Sequence, residues 1–187
     1  MTENAISEGG NWLNGLAVGL DWTNVQTTPG FAHATTITLA NTDSTAVLIG
    51  TWAQNQSATA TVVINANPAT IEEIELRLNT TITPQSITGY ELIFQTSGGI
   101  TIVRWNGAVG DFTIIKPIDG LPGGALVTGD VISATNVNGL ITCYVNGVQV
   151  SQVTDTTYTG GSPGIGFYYA PPGTITDIGV SSFTATD

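Results

Sequence analysis

The sequence is short of charge, and of positive charge above all. Of its 187 residues 9% are charged, with three Lys and Arg against fourteen Asp and Glu, a formal net charge of −11. Three basic side chains, Arg77, Arg104 and Lys116, cannot build a phosphate-neutralising face, which excludes nucleic acid as a partner. A single cysteine, Cys143, excludes an internal disulfide framework and a Cys-rich zinc site. A single histidine, His33, excludes a multi-His metal centre and would have to serve any Ser-His-Asp or Cys-His arrangement alone. No apolar run approaches the roughly 20 residues of a membrane-spanning helix, so no membrane insertion is expected. Met1 to Gly10 has neither a basic nor an apolar leader region, so no signal peptide is read.

Apolar residues still make up 41% of the chain, a globular share that excludes an acidic disordered polymer. The 31 threonines and 23 glycines, with many Val and Ile, point to strands and turns. The length fits one domain, read over residues 1–187, with 1–34 as an irregular N-terminal segment packed on it. No window has helical periodicity. Strands are expected at Thr35–Leu39, Ala46–Ala53, Thr59–Asn65, Ile71–Leu78, Tyr90–Thr96 and Ile100–Trp105. They continue at Phe112–Lys116, Val131–Val137, Leu140–Val145, Val148–Val153, Ile165–Tyr169 and Ile175–Thr184. About a dozen short strands with regular turns make a sandwich or barrel.

Two Asn-Gly pairs, Asn138-Gly139 and Asn146-Gly147, fix a three-stranded meander, because type I′ turns need positive φ at both central residues. The predicted register pairs Val137 with Leu140, Ala134 with Cys143 and Ile132 with Val145. Across the second turn it pairs Val145 with Val148 and Cys143 with Val150. One face then carries Ile132, Ala134, Ile141, Cys143, Val145, Val148 and Val150. The other carries Ser133, Thr135, Thr142, Tyr144, Gln149 and Ser151. Cys143 falls on the apolar face and reads as a buried small hydrophobe.

Ile71–Leu78 holds the densest charge cluster. Ile74, Leu76 and Leu78 share one side with Glu72; Glu73, Glu75 and Arg77 share the other. The first reading is a solvated strand face with a diagonal Glu–Arg pair, and the second a polar groove that hydrogen-bonds a ligand. As a catalytic pair, Glu73 and Glu75 would lie about 6–7 Å apart by strand rise, against the about 5 Å of retaining glycosidases. Arg77 beside them is expected to hold both ionised, leaving no general acid.

Several stretches resemble the concanavalin A-like (laminin G-like) jelly-roll domains. They are Ser7-Glu8-Gly9-Gly10-Asn11-Trp12, the run Arg104 to Phe112, Gly129-Asp130-Val131, Tyr144 to Val150, Val153-Thr154-Asp155, and Tyr158 to Tyr168 with its Gly160-Gly161-Ser162-Pro163-Gly164 loop. The resemblance implies an all-β, two-sheet antiparallel jelly-roll sandwich, one sheet convex and one concave, with ligands on the concave sheet or rim loops. It covers most of the chain and is weak between Thr23 and Pro68. Laminarinase-type members carry Glu-x-Asp-x-x-Glu; here Glu73-Ile74-Glu75-Leu76-Arg77 has Arg where the second catalytic acid should stand. Alginate-lyase-type members use Gln, His and Tyr, and nothing around His33 matches that pattern. No catalytic residue is therefore assigned.

Glycan recognition would draw on Glu73, Glu75, Arg77, Tyr144, Gln149, Trp52 and Trp105, although a hairpin Trp105 also reads as half-buried core. Trp12 and Trp22 read as pins for the N-terminal segment. Asp21, Asp43, Asp111, Asp119, Asp130 and Asp155 lie in loops or at strand ends without EF-hand spacing. A structural calcium has no motif behind it, and no cofactor or metal is assigned.

The expected function is that of a non-catalytic interaction protein. A Lys-poor, Thr-rich surface suits neutral contacts with a glycan or with protein subunits. The first expectation is a virion surface or assembly component, for capsid decoration or adhesion, with glycan binding and a homo-oligomer such as a trimer. A solitary domain without a leader fits placement on a virion or outside the cell after release. The alternatives are a free-standing carbohydrate-binding module and, third, a polysaccharide hydrolase or lyase.

Overall fold

A computed structural model describes residues 1–35, 43–65, 71–169 and 173–187. The first strands are β1 (Glu3–Asn4), β2 (Trp12–Asn14), β3 (Val25–Thr28), β4 (Phe31–Ala34), β5 (Asp43–Leu48) and β6 (Gln56–Ile64), with one helical turn, α1 (Gly15–Val18), after β2. Then come β7 (Glu73–Thr83), β8 (Ser86–Gln95), β9 (Gly99–Ala108), β10 (Phe112–Gly120) and β11 (Val131–Val137). β12 (Leu140–Val145), β13 (Val148–Thr154), β14 (Ser162–Tyr168) and β15 (Ile178–Thr186) complete the chain. Strands form two antiparallel sheets: eight in the order β1-β3-β4-β15-β6-β11-β12-β13, and seven in the order β10-β9-β8-β7-β14-β5-β2. This is the expected all-β jelly-roll sandwich. Among the described residues no helix is long and apolar enough to cross a membrane.

Alternation sorts the side chains between the layers. Ile74, Leu76 and Leu78 of β7, Tyr90, Leu92 and Phe94 of β8, and Ile100 and Ile102 of β9 point to the other sheet. There they meet Ala58, Ala60, Val62, Ile132, Ala134, Ile141 and Cys143. Cys143 is wholly buried, and burial pushes its thiol up to about 12. The strand expected at Thr35–Leu39 lies almost wholly outside the described residues. The first 34 residues, expected to be irregular, supply four short strands and the helical turn.

The meander follows its predicted register across both turns and departs only at Cys143. Cys143 pairs with Ser151 and Tyr144 with Gln149, so a bulge leaves Val150 unpaired. Ser151 therefore turns inward, is buried, and donates from Oγ to Asp119 Oδ2 at 2.7 Å. Val148, expected in the core, is 61% exposed at the start of an edge strand.

A second bulge shapes the larger site. Between Leu78 and Thr81 the β7–β8 register shifts, with Asn79 at φ 50°. Gly89 lies against it at φ 125°, where a Cβ would stand 2.6 Å from the Asn79 carbonyl oxygen. The Asn79 N–H finds Gln56 Oε1 at 2.8 Å, and Asn136 Nδ2 donates to Asn79 Oδ1 at 2.7 Å, tying this bulge to the other sheet.

Candidate functional site

The outward side chains of the seven-stranded sheet form the densest chemical site. Register places Glu73 between Gln95 and Tyr168, Glu75 between Ile93 and Gly166, and Arg77 between Glu91 and Gly164. Tyr168 in turn pairs with Asp43. Gly166 is small for a reason: a Cβ there would overlap Glu75 Oε2.

Arg77 is the hub. Its Nη1 donates to Glu91 Oε2 at 2.6 Å and its Nη2 to Glu75 Oε2. Trp105 Nε1 also donates to Glu91 Oε2. Chain segment 19–23 roofs these groups. Leu20 and Trp22 are 1% exposed, and the Trp22 ring lies 5.0 Å from Arg77 Cζ, within cation–π reach. Trp22 and Trp105 meet edge to face at 4.8 Å, and Phe112 leans on Trp105 at 5.1 Å. The roof is pinned at both ends. Gln85 N–H donates to Gly19 O at 2.9 Å, and Thr23 N–H to Asp43 O at 2.9 Å. Trp22 thus pins the N-terminal segment as expected. Trp12 meets Phe183 at 5.2 Å on the eight-stranded side.

Two expectations are corrected here. The Glu75/Arg77 face is not solvated: both side chains are fully buried beneath Trp22. Nor does Arg77 hold both glutamates ionised. Burial and the neighbouring Glu91 push Glu75 well above the usual carboxylate range, and burial pushes Glu73 up to about 7. Burial, with Glu91, pushes Asp43 up to about 7 as well. Burial opposes the charge on Arg77, but Glu91, Glu75 and Asp43 outweigh it and raise its affinity for the proton. The group has raised carboxyls, but its deepest members are closed to any substrate.

Beyond the roof the face is partly exposed among the described residues. Asp43, Glu73, Gln95, Thr101 and Tyr168 are partly exposed on neighbouring strands, and Gln95 Nε2 donates to Glu73 Oε1 at 3.0 Å. Phe112 and Ile114, about half exposed, extend the strip along β10. Glu73, Glu75 and Glu91 also bring one carboxylate oxygen each within 4.8 Å of one another.

The seven sequence-derived candidates fall in three places. Glu73, Glu75, Arg77 and Trp105 share this face, although Trp105 is 8% exposed. Tyr144 and Gln149 pair on the outer face of the other sheet. Trp52 lines a separate cleft with Val47, Ile82 and Gly161. His33 is buried, stacks on Phe31 at 4.7 Å and bonds Ile175 O through Nδ1 at 3.1 Å. Asp43, Glu91, Gln95, Thr101 and Tyr168 had no sequence signal beyond lying in or beside expected strands; only pairing brings them together.

No family model matches the sequence, and no curated protein does. Solved structures do. The carbohydrate-binding module CBM66 from Bacillus subtilis superposes with a TM-score of 0.64 at 11% identity, over 98% of this chain and 96% of that one. A Bacillus licheniformis beta-glucanase gives 0.62 at 12%, over 100% and 97%. The Caenorhabditis elegans galectin LEC-6 gives 0.52 at 10%, over 86% and 99%. At these identities the likeness is one of fold, and the fold is the concanavalin A-like jelly roll.

Proposed function

We propose that this concanavalin A-like sandwich is a non-catalytic glycan-binding protein whose ligand lies along the open part of the seven-stranded sheet's outer face. The observation that carries the reading is the partly exposed row Asp43, Tyr168, Glu73 and Gln95, with Thr101 in the next row opposite Ile93. Carboxylate and carboxamide groups meet paired sugar hydroxyls in their own plane, and an aromatic ring takes the apolar face of a pyranose. Burial of Glu75 and Arg77 under Trp22 supports binding over hydrolysis, since a nucleophile must touch its substrate. The carbohydrate-binding module and galectin among the structural neighbours support the same class.

Retention on immobilised polysaccharides tests this. Tyr168→Ala and Gln95→Ala should each weaken retention about tenfold, the equivalent of about 1.4 kcal/mol. Tyr144→Ala and Gln149→Ala on the opposite sheet should leave it unchanged, and no new reducing ends should form. A panel with no retained glycan, or loss only in the Tyr144 and Gln149 variants, rejects the reading.

Display on a virion surface or another large assembly is a second reading. It is supported by exposed apolar side chains: Ile118 and Val148 on the edge strands β10 and β13, both 61% exposed, and Val127 in the connection between β10 and β11, 59% exposed. Light scattering should then return a stable homo-oligomer such as a trimer. A monomer at every concentration sinks this part.

A further inference from the structure

Glu73, Glu75 and Glu91 each commit one carboxylate oxygen to a protein donor: Gln95 Nε2 for Glu73, Arg77 for Glu75, and Arg77 with Trp105 for Glu91. The second oxygens remain. Glu75 Oε1 is buried without a hydrogen-bond partner on a side chain that is fully buried, a costly state for a carboxylate oxygen. One carboxylate oxygen from each of the three residues lies within 4.8 Å of the others, a span that one ion with bonds of about 2.4 Å can bridge. With Asp43 close by, four carboxylates gather around the single guanidinium of Arg77.

We infer that Glu73, Glu75 and Glu91 form a divalent cation site, for calcium in particular, at the inner margin of the open face. The donors are all oxygens with no His or Cys among them, which selects a hard cation. Calcium tolerates irregular geometry and keeps water as further ligands, which suits three carboxylates drawn from two strands. Arg77 then serves one side of the group and the ion the other. Glu73, partly exposed, is the entry side, and Asp43 flanks the site. This inference stands independently of the glycan reading.

Terbium(III) is the probe, because it takes calcium's oxygen sites and is sensitised by nearby tryptophan; Trp22 and Trp105 both border the cluster. The full chain should show tryptophan-excited terbium emission that calcium displaces, and calcium should raise Tm over chelator. Glu73→Gln, a change at the partly exposed ligand, should weaken terbium and calcium binding by about tenfold or more while the chain stays folded. Glu8→Gln, a distant acid, should change neither. Absent emission, no calcium effect on Tm, or emission equal in Glu73→Gln and the native chain would each overturn the site. None of these readouts uses a glycan, so failure here leaves the retention result unaffected.

Discussion

Arg77→Met should lower the unfolding free energy by about 3–5 kcal/mol, the usual cost of removing one partner from a buried ion pair. For a chain of this length that is a fall in Tm of about 10 °C, read by calorimetry in chelator. Methionine fills much of the space and keeps contact with Trp22, so little of the loss comes from a cavity. It comes from Glu75 and Glu91, which lose their cationic partner while remaining under the roof. The conservative Arg77→Lys should also lose a large part, because one ammonium cannot reproduce a fork that reaches Glu91 through Nη1 and Glu75 through Nη2. Adding Glu75→Gln to Arg77→Met should recover part of the loss, since one fewer acid is then stranded. A Tm for Arg77→Met within about 2 °C of the native value would show that the cluster does not depend on its arginine.

The two bulges explain how much of this site could be read in the sequence. Alternation over Ile71–Leu78 correctly separates Ile74, Leu76 and Leu78 from Glu73, Glu75 and Arg77. It cannot show what lies opposite. Counting back from the Thr83–Ser86 pairing puts Arg77 against Leu92 and Glu91 against Leu78, charge on core. The extra residue at Asn79–Thr80 corrects the count, and Arg77 meets Glu91. At Val150 one extra residue likewise turns Ser151 inward. A bulge has no strong sequence mark, and one moves every later pairing by a residue. The Asn-Gly turns are legible because their positive φ is chemically specified, and there the register is right on both sides of each turn.

The roof was harder still to foresee. Trp22 is separated from Arg77 by more than fifty residues, and no local pattern says that segment 19–23 crosses the outer face. That crossing turns an alternating polar strand face, ordinarily a solvated one, into a buried group of acids. In a chain with three basic residues, placing one of them here leaves two for the whole remaining surface. The low overall charge and the dense buried cluster are therefore connected.

The same cluster should make the protein more stable on the acidic side of neutrality, in chelator, than above it. Asp43 and Glu73 titrate near 7 in the folded chain and near their ordinary values when unfolded, and burial with the neighbouring Glu91 raises Glu75 well above its ordinary value too. Between about pH 4 and pH 7 the folded state therefore holds protons that the unfolded state has released, and stability falls as pH rises through that window. His33 works the other way. Burial lowers its proton affinity, so its contribution is lost as pH drops below the ordinary histidine value. Three acids outweigh one imidazole. Below about pH 4 Glu3, Asp119 and Asp155, whose affinities for protons are lowered by hydrogen bonds, bring stability down again. The maximum should lie near pH 5, with Tm about 5 °C or more above its value at pH 8, an effect of a few kcal/mol. Glu75→Gln should flatten this slope, because its amide carries no proton to lose and relieves its neighbours of one like charge. Arg77→Met should steepen it by removing the cation that favours the ionised acids. A Tm that rises steadily from pH 5 to pH 8 in the native chain would mean that these carboxylates stay ionised in the fold.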